Sequence, residues 1–334
     1  MSETRMKTGT VMRAAVARRF GGPEVVQVEE VPRPVPNADE VLIRVEASTV
    51  SVADHRTRSR DLPDGMWFYI PLALGVLRPR KRVLGMDVAG VVEAVGDEVT
   101  GFAPGDEVIA MLGAAFGGHA EYACVPQSNA IARKPRNLTM EEAVTLVFGG
   151  YTTLAYLNHV DFAPGAEVLV NGASGAVGTA AVQLAKLRGA RVTAVCSGGN
   201  AEFVRSLGAD QVIDYTVEDF TRSGETYDVI VECVGNAPFS RVEGSIKPGG
   251  ALLLVITSFA GMLRASRDRK RSGKLVTFAG APVTGDDLAS LVRLAESGEY
   301  RPVIDRTFDL DEIVEAHRYV DTGRKKGNVV LRIA

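Results

Sequence analysis

The stretch Asn171–Gly178, NGASGAVG, decides how the chain is read. An apolar run, EVLV (Glu167–Val170), leads into it. The segment AVGTAAVQLAKLRG leads out, with Val177, Ala180, Ala181, Leu184, Ala185 and Leu187 on one helical stripe. Strand, glycine turn and helix in that order form the context in which such a turn cradles a pyrophosphate. A strict G-x-G-x-x-G is absent; the match is Ala173-x-Gly175-x-x-Gly178, with Gly172 in front. Gly175 lets the backbone approach an anion, and Gly178 lets helix and strand pack closely. Ser174, Ala176 and Val177 complete the turn, whose free N–H groups at the helix start would hold the phosphates. The bland alternative is an ordinary tight turn between strand and helix. Further strand–helix units downstream favour dinucleotide binding.

An NAD site usually carries Asp or Glu at the end of the second strand, about 20 residues on, for the ribose 2′-hydroxyl. Here RVTAVC ends in Ser197, Gly198, Gly199 and Asn200, with no carboxylate. Ser197 and Asn200 can donate to a 2′-phosphate, so the expected cofactor is NADPH. Arg205 would add charge there, or is a surface helix residue.

Outward from the turn, two textures appear. The runs ARVTAVCS, QVIDY, YDVIVECVG, GALLLVIT and KLVTFAG alternate with helical segments and read as a parallel sheet covered on both faces. Before about Arg133 the pattern is instead short and alternating. EVLIRVEA puts Val41, Ile43, Val45 and Ala47 on one face, and turn pairs such as Pro104-Gly105 separate such runs. That half is expected to be mostly antiparallel. After Gly285 come a helix, RPVID, another helix and a last strand, NVVLRI.

At 334 residues the chain suits two domains, and a net charge of −3 gives no reason to expect nucleic acid or an anionic membrane as partner. The basic run Arg264–Arg271 reads as a solvated face. Cys124, Cys196 and Cys233 have no pairing or metal spacing, which fits a reducing compartment. With no apolar run of membrane or signal length, the expected location is cytoplasmic.

VLGMDVAGVVEAVGDEVTGFAPGDEV (Val83–Val108) resembles the medium-chain dehydrogenase/reductase superfamily, with its G-x-[DE]-x-x-G-x-V-x-x-x-G pattern followed by G-D-x-V. The resemblance covers essentially the whole chain. It implies an α/β protein with a GroES-like, β-rich catalytic domain around a Rossmann doubly wound parallel-sheet domain. The expected boundaries are 13–136, 137–284 for the cofactor domain, and 285–334, with the return somewhere in 270–305. Zinc-dependent members carry Cys near Ser51 and His-Glu where this chain has Met86-Asp87. The four histidines, His55, His119, His159 and His317, share no ligand spacing, so no metal is expected.

What remains is similar to the zinc-free quinone oxidoreductase branch, the zeta-crystallin-like proteins. TVSVADHRTR (Thr49–Arg58) matches that branch's S-V-N-P-x-D-x-x-x-R at Asp54 and Arg58 but has Ser51-Val52 for Asn-Pro. GGYTTLAYL makes Thr152 the threonine expected beside the nicotinamide, and Tyr215 matches a tyrosine near the 2′-phosphate. In GRKKGNVV, Asn328 replaces the usual Lys. Cys233, Val234, Gly235 and Ile256 complete the expected cofactor contacts.

Without zinc there is no Lewis acid to polarise an alcohol, so the easier reaction is hydride delivery to a quinone or the activated C=C of an α,β-unsaturated carbonyl. Thr152, Tyr151, Ser51 and Tyr69 are candidate donors to the developing oxyanion. Asp54 is a candidate acid, set against a loop hydrogen bond or ion pair with Arg58. Asp61–Arg82, with the only Trp, would form an apolar substrate wall or a core-packing excursion. An enoyl-thioester reductase using RPRKR (Arg78–Arg82) for a CoA or carrier phosphate is the second enzyme reading. A non-catalytic NADPH-binding, redox-sensing protein is the reading from another class. The resemblance also implies a homodimer joined at Lys274–Gly280.

Overall fold

The computed structural model of the chain describes residues 10–66 and 74–334. The expected wall around Trp67–Ile70, Tyr69 included, lies outside the described residues. An antiparallel hairpin, β1 (Val11–Ala17) with β2 (Val26–Pro32), opens the chain. Next come β3 (Glu40–Val50), α1 (Val52–Ser59), β4 (Asp87–Val95), β5 (Glu107–Met111), β6 (Tyr122–Pro126) and β7 (Ile131–Arg133). The two-residue period of β3 is realised: Val41, Ile43, Val45 and Ala47 are all at 0% exposure. Helix α2 (Met140–Leu157) then carries the chain across to a second sheet. Its start is fixed by a capping box, in which Thr139 accepts from the Glu142 amide and Glu142 accepts from the Thr139 amide.

The second sheet is built from β8 (Glu167–Asn171), α3 (Ala176–Leu187), β9 (Arg191–Cys196), α4 (Ala201–Ser206), β10 (Gln211–Asp214), β11 (Tyr227–Glu232), β12 (Ile246–Leu254), α5 (Phe259–Ser272) and β13 (Leu275–Thr277). Its six strands run in the order β10-β9-β8-β11-β12-β13, every pairing parallel. Written by appearance, that is 3-2-1-4-5-6, the doubly wound dinucleotide order. Direction reverses between β8 and β11, where Asn171 and Glu232 lie in register at the strand ends. The apolar stripe on α3 is buried at Ala180, Ala181, Leu184 and Ala185, while Val177 is partly buried and Leu187, the last residue of the helix, is 38% exposed.

After α6 (Gly285–Glu296), the chain rejoins the first sheet through β14 (Ile304–Asp309), α7 (Ile313–Asp321) and β15 (Asn328–Arg332). That sheet reads β14-β15-β3-β4-β5-β7, with β6 also on β3, and only the β14–β15 pair is parallel. Helix α2 packs on β3, β4 and β5 on one side and on α3 on the other. It is the element shared by the two sheets. Among the described residues no helix is long and apolar enough to cross a membrane.

Candidate active site

The glycine turn sits at the reversal point. Gly172 has φ +82°, and a Cβ there would stand 2.7 Å from the Val234 side chain. A Cβ on Gly178 would meet the Gly172 carbonyl oxygen at 2.1 Å, so only glycine lets α3 pack this close to β8. Gly175 differs: the nearest atom to its built Cβ is 3.6 Å away, and open space lies above it. It is the N-cap of α3 and no side chain caps it, which leaves the first N–H groups of the helix for an anion.

A glycine in α2 controls the other wall. A Cβ on Gly149 would come within 2.5 Å of the Ala176 carbonyl oxygen, and Thr153 Oγ1 donates to the Val177 carbonyl at 3.2 Å. Helix α2 therefore crosses directly over the start of α3. Tyr151 and Thr152, both partly buried, lie on that same helix, and their hydroxyls have no partner among the described residues.

Beyond the strand ends, a buried network shapes the crevice. Glu232, at 0% exposure, accepts from Asn171 Nδ2 at 2.7 Å and from the amides of Val234 and Gly235 at 2.6 and 2.7 Å. Asn171 also donates to Asn236 Oδ1 at 2.8 Å. The loop that carries Cys233, Val234 and Gly235 is thus pinned, and a Cβ on Gly235 would touch Ile256 at 2.9 Å. Burial, with Glu232 nearby, pushes the Cys233 thiol far up, which disfavours its thiolate. Sequence reading passed over Glu232. Its signal was a carboxylate ending an otherwise apolar strand, YDVIVE.

At the adenosine end, Asn200 Nδ2 donates to Ser197 Oγ at 3.2 Å, and the Tyr215 amide donates to the Cys196 carbonyl at 3.1 Å. Ser197, Asn200 and Tyr215 are therefore gathered at one strand end, with the Tyr215 ring exposed. The turn's own residues carry no carboxylate, as read from the sequence, but one approaches it from outside. Asp214, from the neighbouring strand β10, accepts from the Thr216 amide and hydroxyl at 2.9 and 2.7 Å. Its other oxygen would lie 2.3 Å from a Cβ on Gly198. Bonds from Thr216 and from the Gly198 N–H hold its carboxyl below the usual range, so it is charged. Arg205 does not answer that charge; it pairs with Glu202 at 3.3 Å on the surface of α4.

The N-terminal candidates are placed differently from expectation. Ser51 caps α1: its hydroxyl donates to Asp54 Oδ2 at 2.6 Å, and Asp54 also accepts from the Ser51 and Gly85 amides, both at 2.8 Å. The pair closes the start of a helix, with Asp54 at 0% exposure, which spends the Ser51 proton on Asp54 rather than on a substrate. Arg58 does not bond Asp54. Its guanidinium donates to Asp321 at 2.6 and 2.7 Å and to the Gly21 carbonyl at 2.7 Å. Asn328 is buried, and its amide donates to the Val303 carbonyl at 3.1 Å, so it faces protein backbone. Arg78 and Arg82 line a hollow of about 370 Å³ with Arg18, Arg19, Glu24 and Glu29, a wall of mixed sign containing no glycine-turn residue.

A catalytic zinc needs three ligands of His, Cys or carboxylate type open to one point. Ser51 is spent on Asp54, Met86 offers a thioether, and the Asp87 carboxylate accepts from the Thr49 amide and hydroxyl at 2.8 and 2.7 Å. These residues do not fit a zinc ion. Burial, countered by those Thr49 bonds, pushes Asp87 up to about 7.

A 3-2-1-4-5-6 sheet with a glycine turn at its reversal point, crossed there by a bridging helix, is the architecture of a dinucleotide-dependent oxidoreductase. Residues 37–136 match the alcohol dehydrogenase GroES-like domain, and residues 207–331 match the zinc-binding dehydrogenase family. The chain is 32% identical to a chloroplastic quinone-oxidoreductase of Triphysaria versicolor, over 97% of this chain and 99% of that one. It is 30% identical to an NADPH-dependent alkenal/one oxidoreductase of Arabidopsis thaliana, over 96% and 79%. The structure of a quinone oxidoreductase from Coxiella burnetii superposes with a TM-score of 0.83 at 27% identity, covering 97% of this chain and all 100% of the other. The chain belongs to the medium-chain dehydrogenase/reductase superfamily, in its zinc-free quinone oxidoreductase-like branch. Its cofactor is a nicotinamide dinucleotide.

Proposed function

We propose that the protein reduces quinones or α,β-unsaturated carbonyls with NADPH. The reading is carried by the helix that Gly149 lays over the glycine turn: it bears Tyr151 and Thr152, two hydroxyls without partners among the described residues, and the described residues hold no zinc-type donor set. The bound nicotinamide supplies the hydride, which suits an acceptor that is already electron-poor. Residues 172–178 orient the dinucleotide, and the Glu232-pinned loop walls its crevice. Tyr151 and Thr152 donate hydrogen bonds to the substrate oxygen as negative charge develops on it. Water supplies the last proton, since Asp54 is committed to its cap.

For NADPH over NADH, the support is the Ser197–Asn200 turn with Tyr215 beside it and the likeness to an NADPH-dependent relative. The charged Asp214 at that turn makes the preference a modest one. A dimer through the exposed edge of the six-stranded sheet, at β13, is part of the same reading, as is a cytoplasmic setting consistent with three free cysteines.

Steady-state NADPH oxidation against a quinone panel and an enone panel tests the activity. Tight NADPH binding with no turnover on either panel would sink it in favour of a binding-only protein. Turnover confined to enoyl-CoA would favour the thioester reading, which the mixed-sign wall at Arg78 and Arg82 does not support. Light scattering tests the dimer.

A further inference from the structure

Lys325 lies in the turn between α7 and β15. Its Nζ donates to the Gly327 carbonyl at 2.7 Å, and among the described residues it has no carboxylate within ion-pair distance. Its partial burial draws the ammonium down to about 8, and Asp305 opposes that. Asp305 is itself occupied, accepting from the Tyr319 hydroxyl and the Lys326 amide at 2.7 and 2.8 Å. Lys325 is partly buried, and an ammonium held there without a paired carboxylate favours a nearby anion.

The turn that holds Lys325 is fastened to the glycine turn. The Gly327 amide donates to the Ser174 carbonyl at 2.8 Å, and Gly175 and Gly327 form an isolated parallel bridge. Gly327, at φ +65°, would carry a Cβ 2.2 Å from Val303, so the backbone path is tightly set. Lys325 Nζ is therefore one hydrogen bond from Gly327, and Gly327 is one hydrogen bond from Ser174, the residue before the uncapped N-cap Gly175. Where the family ordinarily has Lys, this chain has Asn328, whose amide is turned to the Val303 carbonyl.

We propose that the Lys325 ammonium is the counter-ion for the cofactor pyrophosphate held at Ser174–Gly178, replacing the charge absent at Asn328. This rests on the dinucleotide reading of the glycine turn. The ammonium adds a charge-assisted contact to the backbone N–H groups there. The other groups around Lys325 are Asp305, the Asp305-bound Tyr319 hydroxyl, Arg306 stacked 4.0 Å over the Tyr319 ring, and the flanking Arg324 and Lys326.

The test is equilibrium binding, by calorimetry, of NADPH, NADH and ADP-ribose to wild type, Lys325→Met and Lys325→Arg. The expected result is a loss of roughly tenfold or more for all three ligands in Lys325→Met, with recovery in Lys325→Arg. Wild-type affinity should also fall as pH rises past about 8, and that slope should vanish in Lys325→Met. Equal affinities in wild type and Lys325→Met would overturn the proposal, as would weakening of NADPH alone, which would place the charge at the 2′-phosphate. If Lys325→Met does not fold, a flat wild-type profile between pH 7 and pH 9.5 overturns it by itself. Should wild type bind none of the three ligands, the dinucleotide reading fails along with it. Failure in the variants alone leaves that reading intact.

Discussion

Asp214 shows how one side chain tunes a choice that its neighbours set. The 197–200 turn is free of acid in sequence, yet a carboxylate from the adjacent strand is bonded against Gly198 and is charged. A phosphorylated ribose placed there meets hydrogen-bond donors and, a residue away, a like charge. Asp214→Asn keeps the Thr216 contact possible while removing the charge. It is expected to raise the NADPH/NADH ratio of kcat/KM roughly fivefold, about 1 kcal/mol. An unchanged or lower ratio would mean that Asp214 serves only to hold the turn. Tyr151 and Thr152 are judged by a different readout. If they stabilise developing charge, Tyr151→Phe with Thr152→Val should lower kcat about a hundredfold and leave the dissociation constant of NADPH unchanged. A loss confined to cofactor binding would remove them from the chemistry.

At the scale of elements, most of the architecture was readable because period and glycine placement are local signals. The βα rhythm from Glu167 to Thr277 produced the six parallel strands, and the alternation in EVLIRVEA produced β3. What could not be read were contacts between residues far apart in the chain. Arg58 was matched to Asp54, four positions away, but its carboxylate is Asp321, 263 positions on. Asp214 escaped notice for the same reason, since it belongs to the next strand rather than the one that ends in the turn. Glu232 was visible only as an oddity in an apolar strand. Gly149 lay in plain view inside a helix, where glycine costs about 1 kcal/mol, and its reason became evident only when α3 was seen crossing it. Gly149→Ala forces a Cβ to within 2.5 Å of a backbone oxygen, which a side-chain rotation cannot relieve. It should cost about 1–3 kcal/mol, as overpacking does, and weaken NADPH binding by displacing the helix start. Gly101→Ala, with no atom within 4 Å, is the control and should leave both unchanged. Equal melting temperatures for the two variants would refute the crossing as the reason for Gly149.

Over the whole molecule, two buried groups in the β-rich part set opposing slopes in the stability–pH curve. Asp87, at 0% exposure between Ser48 and Thr49, is pushed up from an ordinary 3.8 to about 7 by burial. Between those values the folded chain keeps a proton that the unfolded chain has released, so this group's contribution is full below about 4 and is lost as pH rises through about 7. His317, also at 0% exposure, packs its ring 6.0 Å from His119. Burial first, then His119, Arg58 and His55, holds it well below 6.5, and neither of its ring nitrogens has a partner among the described residues. Below 6.5 the unfolded chain takes up a proton that the folded chain refuses, so this contribution falls as pH falls. While one proton distinguishes the two states, each slope is about 1.4 kcal/mol per pH unit. In wild type the two slopes oppose one another as pH falls below 6.5. Asp87→Asn should remove the first and leave stability dropping more steeply than wild type as the solution is acidified. His317→Leu should remove the second, so that its stability relative to wild type improves toward pH 5. Chemical denaturation of the three proteins at pH 5, 6 and 8 decides the matter: parallel curves would mean that neither group titrates differently in the fold, whereas divergence in opposite directions on the acid side identifies both.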